Sequence, residues 1–275
     1  MNERHFAGFE YRGLNNLGDN IQSIAVERLL PEVMERFNRD TLSDANPAVP
    51  MSIIMNGWFS YYPQTCLPFS KMLHPVFWGF HITDWNDSWK YFSQRHIVEY
   101  LKLFEPIGCR EAYTANRLAD LGLDAFVTYC LTLTFPMREC RPVEGKIFVV
   151  DMFPDLLPEE IQEQSCYYSH ILPGSRFREA QKRMYARELL MMYQKQARLV
   201  ITTRLHSLLP CIAMGIPVIF FGNPNDYRIS WVTELGVKIN TFQNTDEVDW
   251  NPAPISFEDR KSNMIKDFKT KINYI

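Results

Sequence analysis

Residues Ile201 to Gly222 read ITTRLHSLLPCIAMGIPVIFFG. The apolar residues up to Thr203 have the character of a buried strand. After it Leu205, Leu208, Leu209, Ile212 and Ala213 recur at helical spacing, until Gly215 and Pro217 stop the helix and IPVIFFG (Ile216 to Gly222) begins a second strand. Strand, helix and strand in that order join two parallel strands through a right-handed crossover, which is the grammar of an α/β fold. The spacing places Thr203 as helix cap and Arg204, Leu205 and His206 in the first turn. There the unpaired backbone N–H groups and the positive end of the helix dipole favour an anion. An arginine and an ionisable imidazole at the same point suit a small anionic substrate with a proton to be moved. They also suit a structural reading, in which Thr203 only caps the helix, Arg204 pairs with a carboxylate and His206 packs against the rest of the chain.

The same alternation extends in both directions. KIFVVD (Lys146 to Asp151) and CYYSHI (Cys166 to Ile171) read as strands separated by a short helix near Pro158 to Gln164. A long helix over Arg178 to Gln196 leads into the strand LVITT, Leu199 to Thr203. Toward the N-terminus the pattern predicts a helix over Asp19 to Leu30, with Asp19 and Gln22 at capping-box spacing. It predicts strands over Met51 to Trp58 and His74 to Ile82, helices over Asp87 to Phe104 and Arg110 to Leu121, and a strand from Asp124. PMRECRPVEGK (Pro136 to Lys146) has the prolines, glycine and mixed charge of a linker. A chain of 275 residues is about twice the usual domain length, which agrees with two domains. The expected organisation is a Rossmann-like acceptor-side domain at 1–138, a Rossmann-like donor-side domain at 145–257, and a C-terminal helix at 258–275 packing back on the first. Two doubly wound domains facing a cleft make a glycosyltransferase B-like architecture, with ligands at the carboxyl ends of the strands.

Composition narrows the partners. Hydrophobic residues are 46% and charged residues 22%, as in ordinary globular chains, and 29 basic against 32 acidic residues offer no electrostatic footprint for nucleic acid. Cys66, Cys109, Cys130, Cys140, Cys166 and Cys211 stand far apart without metal-ligand spacing, so they read as reduced, buried thiols. The start MNERHFAGFEYRG lacks the apolar stretch of a signal peptide, and the uncharged run Leu205 to Phe221 is broken by Pro210, Gly215 and Pro217. A cytoplasmic protein without a membrane span is expected. Glu258 to Ile272 places Met264, Ile265, Phe268 and Ile272 on one side, with Arg260, Lys261, Lys266 and Lys269 as a solvated face around them. That pattern suits packing on the first domain, and peripheral contact with a membrane surface would use the same pattern.

The segment VITTRLHSLLPCIAMGIPVIFF resembles the signature of the polysaccharide pyruvyl transferase family, in which a strand is followed by Arg-Leu-His, a helix and a Gly-x-Pro strand. GLNNLGDNIQ (Gly13 to Gln22) resembles the family's N-terminal Gly-Asp turn into the first helix. EPIGCREAYTANRLADLGLDAFVTYCLTLTF (Glu105 to Phe135) resembles its central arginine-containing block, ending in a Cys-Leu-Thr-Leu strand. The three segments lie in order and span most of the chain.

The resemblance implies transfer of the enolpyruvyl carbons of phosphoenolpyruvate to two hydroxyls of a sugar, free or lipid-linked, in surface polysaccharide assembly at the inner face of the membrane. A cyclic pyruvate ketal forms and phosphate leaves. It implies Arg204, Leu205, His206 and Arg110 as donor-binding residues. No cofactor or metal is obligatory, since arginines can neutralise so dense an anion, and Mg²⁺ dependence stays open at this point. His206 is the candidate proton donor. Asp19 is the candidate base on an acceptor hydroxyl, or only a helix cap. Asn16, Gly18, Trp78 and His81 are candidate acceptor contacts, within an aromatic crowd from Trp58 to Phe92 that suits sugar C–H faces and core packing alike. Arg176 and Arg178 suit a phosphate contact or a helix start. Alternative readings are a nucleotide-sugar glycosyltransferase on the same fold, and a carbohydrate-binding relative without catalysis.

Overall fold

The computed structural model describes residues 4–174 and 177–273 and is mixed α/β, with two parallel sheets flanked by helices. The chain forms two compact units. The first comprises the chain up to Leu14, Gln22–Leu131 and the chain from Lys266; the second comprises Asn15–Ile21 and Thr132–Ile265.

The first unit holds β1 (Phe6–Glu10), most of α1 (Leu17–Glu27), β2 (Glu35–Asn38), β3 (Met51–Trp58), α2 (Pro63–Cys66) and β4 (Leu73–His81). It continues with α3 (Ser88–Phe92), α4 (Arg95–Lys102), β5 (Ile107–Cys109), α5 (Ala112–Asp120) and β6 (Ala125–Val127). Its sheet runs β2-β1-β3-β4-β5-β6, with every pair parallel. β3 and β4 are buried along nearly their whole length, as their continuous apolar runs require when both faces of a parallel sheet are covered. Phe59, Phe77, Phe80 and Phe92 fill the core beneath them.

The second unit holds β7 (Lys146–Val150), α6 (Glu159–Glu163), β8 (Ser165–Tyr168), α7 (Glu179–Gln196) and β9 (Ala197–Thr202). It continues with α8 (Leu205–Ala213), β10 (Val218–Phe221), β11 (Ile239–Asn240) and the first half of α9 (Glu258–Asn273). The sheet order is β11-β10-β9-β7-β8, again all parallel. The chain steps from β7 outward to β8, then returns across β7 to β9, so the winding reverses between β7 and β9. A crevice opens at that switch point, beyond the carboxyl ends of the two strands.

Several expectations are corrected. The helix expected over Asp87 to Phe104 is two, because the chain breaks between α3 and α4 at Ser93 and Gln94. The Cys-Leu-Thr-Leu stretch is not a strand: Leu131–Thr134 is a short 3-10 turn. α1 begins at Leu17, and Asn16 rather than Asp19 closes its end, with its side-chain oxygen taking the N–H of Gly18 at 3.0 Å and its carbonyl that of Asp19 at 3.3 Å. Thr203 does not cap α8. Its hydroxyl donates to the Asp151 carbonyl at 2.9 Å, and Arg204 occupies the cap position. Cys140 is exposed and Cys166 half-buried, while the other four thiols are buried.

In α9, Phe268 is fully buried with its ring edge-on to Trp78, centroids 5.3 Å apart. Lys261, expected on a solvated face, is buried instead. Its ammonium donates to the carbonyls of Ala213 at 2.9 Å and Phe135 at 3.2 Å, and pairs with Glu258 at 2.6 Å, which compensates its desolvation. No described helix is long and apolar enough to cross a membrane.

Candidate functional site

The switch point of the second unit gathers three strand ends. β7 ends at Val150, and the next residue, Asp151, takes a left-handed backbone conformation (φ 52°), which Asp tolerates better than most residues. Its carboxylate accepts from the Ser169 hydroxyl, from the His170 backbone N–H at 2.9 Å, and from Arg204 Nε at 2.7 Å. Burial pushes the Asp151 carboxyl up, but the Ser169 and His170 hydrogen bonds and the Arg204 charge outweigh it, so its pKa lies below the ordinary value.

Arg204 follows β9, with its backbone N–H on the Thr202 hydroxyl at 2.9 Å. Its side chain is 38% exposed. Apart from the Nε bond to Asp151, the guanidinium donates to nothing among the described residues. The next backbone N–H, that of Leu205 at the first position of α8, likewise has no acceptor among them. Pro210 lies inside α8 and cannot return a hydrogen bond to the His206 carbonyl, which loosens the helix at its first turn.

His170 and Tyr193 brace this turn from behind. The Ser207 hydroxyl donates to the Tyr193 oxygen at 3.2 Å, and that oxygen lies 3.4 Å from His170 Nε2. Burial depresses the His170 pKa to about 4, with Asp151 opposing and Arg204 adding to the effect, so the ring is neutral near pH 7. Its Nδ1 is buried without a partner among the described residues.

Residues Asn15 to Ile21 complete the group. Asn16 bridges Ile171 in antiparallel fashion, Leu17 N–H donates to the His170 carbonyl at 2.7 Å, and Asn15 exchanges two hydrogen bonds with Leu172. The turn expected in the first domain thereby belongs to the second unit. It packs so closely on α8 that a Cβ at Gly18 would lie 3.1 Å from His206 Nδ1 and 3.1 Å from Asn16 Oδ1. Asn16, Gly18, Arg204, Leu205 and His206 are therefore brought together, with Asp19 buried in the first turn of α1.

Arg110, His81 and Trp78 belong to the first unit and are buried. Glu111 Oε2 lies 2.9 Å from His81 Nδ1 and 3.3 Å from Arg110 Nε, and Oε1 accepts the Thr114 N–H at 3.1 Å as the cap of α5. Burial raises the Glu111 pKa, but His81, Arg110 and Thr114 together hold it at about 2. Trp78 is 4% exposed against Phe268, which leaves no ring face for a sugar. Arg178 precedes α7, its N–H on the Gln181 side chain at 3.0 Å; Arg176 lies outside the described residues. No cluster of three or more His, Cys, Asp or Glu suited to a metal occurs among the described residues.

Sequence reasoning missed Asp151, His170 and Glu111. A signal existed for the first two, since Asp151 ends the apolar run KIFVVD and His170 ends CYYSH, placing polar groups at the carboxyl ends of adjacent strands.

Fold and site define a Rossmann-type α/β protein of two units, whose second unit presents an arginine, an imidazole and a helix start at its switch point. A sequence profile described as Polysaccharide pyruvyl transferase matches residues 16–225, and the chain belongs to that family. It is accordingly a transferase of the polysaccharide pyruvyl type. The fold is also similar to the crystal structure of a functionally uncharacterized protein from Klebsiella pneumoniae subsp. pneumoniae NTUH-K2044, at 14% identity and a TM-score of 0.54, covering 86% of this chain and 92% of that one. No curated protein matches the chain significantly.

Proposed function

We propose that the protein transfers the pyruvyl group of phosphoenolpyruvate to two hydroxyls of a saccharide, free or carried on a lipid, releasing phosphate and leaving a cyclic ketal. The observation that carries this reading is the state of Arg204: one nitrogen is bound by Asp151, and neither the rest of its partly exposed guanidinium nor the N–H of the next residue, Leu205, has an acceptor among the described residues. An arginine held in this way, at a helix start, has the donors that a carboxylate and phosphate on three carbons require.

His206, one residue further along α8, protonates the methylene carbon, which becomes the methyl. The adjacent carbon becomes electrophilic and takes one saccharide oxygen. The second oxygen then displaces phosphate at the same carbon, so of the two hydroxyl protons one replaces the proton given by His206 and one leaves with phosphate. Asp19, next to Gly18 in the first turn of α1, is the candidate base for the acceptor proton.

Calorimetry with phosphoenolpyruvate, and phosphate release in the presence of saccharides, test the reading. Binding by the wild-type protein, abolished in Arg204→Ala, is expected. His206→Ala should bind the donor while losing about 10²-fold or more in kcat. A wild-type protein that bound nucleotide sugars and not phosphoenolpyruvate would overturn the proposal.

A further inference from the structure

In the first unit the winding reverses between β1 and β3, but that crevice is already filled. Arg39, 2% exposed and paired with Asp40 at 2.9 Å, lies with its guanidinium carbon 5.3 Å from the Tyr11 ring after β1 and 5.9 Å from the Trp58 ring at the end of β3. A ligand at this edge of the sheet must therefore sit outward of Trp58, over the loops that follow β3 and β4. Those loops carry a cluster of rings. Trp58 lies edge-on to Tyr61 at 5.7 Å and to Trp85 at 6.0 Å, and Tyr61 lies 6.3 Å from Trp85 and 4.6 Å from Tyr62. Trp85 is 58% exposed and Tyr62 45%.

Single exposed aromatics mean little. These are different because buried polar groups hold them in place. Trp58 Nε1 donates to the Thr83 hydroxyl at 3.1 Å, Thr83 N–H donates to Ser60 Oγ at 2.7 Å, and Ser88 Oγ donates to the Ser60 carbonyl at 2.9 Å. Ser60, Thr83 and Ser88 are all buried, so the two loops are tied to one another beneath rings that remain outside. Neither the Trp85 indole N–H nor the Tyr62 hydroxyl has a partner among the described residues. At the rim the Asp84 carboxylate accepts the Tyr113 hydroxyl at 2.7 Å and is itself half-exposed.

We propose that Trp58, Tyr61, Tyr62 and Trp85 form a stacking subsite for the saccharide acceptor, resting on the transferase reading above. Fixed flat rings match the C–H face of a pyranose, and the indole N–H, the phenol and Asp84 match its hydroxyl edge. Of the aromatic crowd expected from sequence between Trp58 and Phe92, this selects the rings after β3 and β4 and leaves out Trp78 and His81, which are buried on β4.

The test uses the full chain and disaccharides ending in glucose, galactose, mannose or N-acetylglucosamine, followed by calorimetry and tryptophan fluorescence. Trp85→Ala and Tyr62→Ala should each weaken binding of whichever disaccharide the wild type prefers by about tenfold, at the scale of one base stacked on one aromatic ring. Trp85→Phe should restore most of it. Phosphoenolpyruvate affinity and thermal midpoint should stay unchanged in all three. Saccharide affinity equal to wild type in both alanine variants overturns the subsite, as does a panel in which no disaccharide binds the wild type. A failed donor titration with intact saccharide binding would instead count against the reaction.

Discussion

Asp151 and Arg204 form an ion pair in which one carboxylate oxygen takes the Nε–H at 2.7 Å, leaving the outer guanidinium nitrogens uncommitted among the described residues. The two residues end neighbouring strands, β7 and β9, so the pair spans the point where the sheet reverses its winding. The structural reading of the sequence, in which Arg204 meets a carboxylate, and the functional one, in which it meets an anionic substrate, are thus compatible: one edge serves each.

If Asp151 aims Arg204, removing the charge of Asp151 should loosen the guanidinium without removing it. Asp151→Asn keeps one oxygen, which in the Oδ2 position still accepts the His170 N–H and Arg204 Nε, while its amide can donate to the Ser169 hydroxyl. A hydrogen bond to a charged group is worth roughly 1.5–3 kcal/mol, so donor affinity should fall about tenfold or somewhat more. Asp151→Ala should lose donor affinity and also lower the thermal midpoint, because two further donors lose their acceptor. Calorimetry with phosphoenolpyruvate on both variants checks this; unchanged affinity in Asp151→Asn would show that Arg204 needs no aiming.

Gly18 tests the contact between the start of α1 and His206. A methyl there meets the imidazole Nδ1 and the Asn16 oxygen at 3.1 Å each, tighter than comfortable contact, so one of the two must yield by a few tenths of an ångström. Gly18→Ala should reduce turnover about tenfold or more through a displaced His206, since misplacement of reacting groups is costly in rate. The thermal midpoint should change little, because alanine favours a helix by up to about 1 kcal/mol over glycine. Steady-state kinetics beside a melting curve separates the two effects.

The alternation of apolar runs and amphipathic stretches made the two doubly wound sheets legible, and β3 appeared at its full observed extent because it is a continuous buried run. The short strands β1, β2, β5 and β11, none longer than five residues, were not legible. β2 is a polar edge strand, ERFN, and β11 has two residues, so neither has enough apolar residues to show a period. The Arg204 to His206 half of the site was readable because a strand end, a helix start and special side chains fall within six residues. Its other half was not. Asp151, His170 and Gly18 reach the same turn from 188 or fewer positions away, through sheet order and a crossing of α1 that no local pattern encodes.

Glu111 makes the first unit sensitive to acid. Its folded pKa of about 2 lies below the ordinary 4.5, so its pairing with His81 and Arg110 contributes fully above pH 4.5 and is lost as pH falls from there toward 2. Glu111→Gln retains an acceptor for the Thr114 N–H but no charge for its partners. The variant should melt lower than wild type at pH 6, and the gap should close as pH drops toward 3. Carboxylates elsewhere titrate in both proteins and cancel in the difference. A gap independent of pH would place the contribution of Glu111 in packing alone.

His170 adds a second and higher acid window, in the second unit. Its ring is fully buried and its pKa is depressed from 6.5 to about 4, chiefly by burial. Between those values the unfolded chain binds a proton that the folded chain refuses, so stability must fall as pH is lowered from about 6.5 to about 4 and level off below. At about 1.4 kcal/mol per unit, the full span is on the order of 3 kcal/mol. His170→Gln preserves the backbone bonds to Asp151 and Leu17 and a polar tip for Tyr193 while removing the titration. Its melting curves between pH 4 and 7 should be flatter than those of the wild type by that amount. Because the folded ring stays neutral through most of this window, donor affinity between pH 5 and 7 should follow the same course in wild type and glutamine variant, and the titration should show in stability alone. A wild-type stability curve with no slope in this window would mean that water or an anion reaches the buried ring and accommodates its charge.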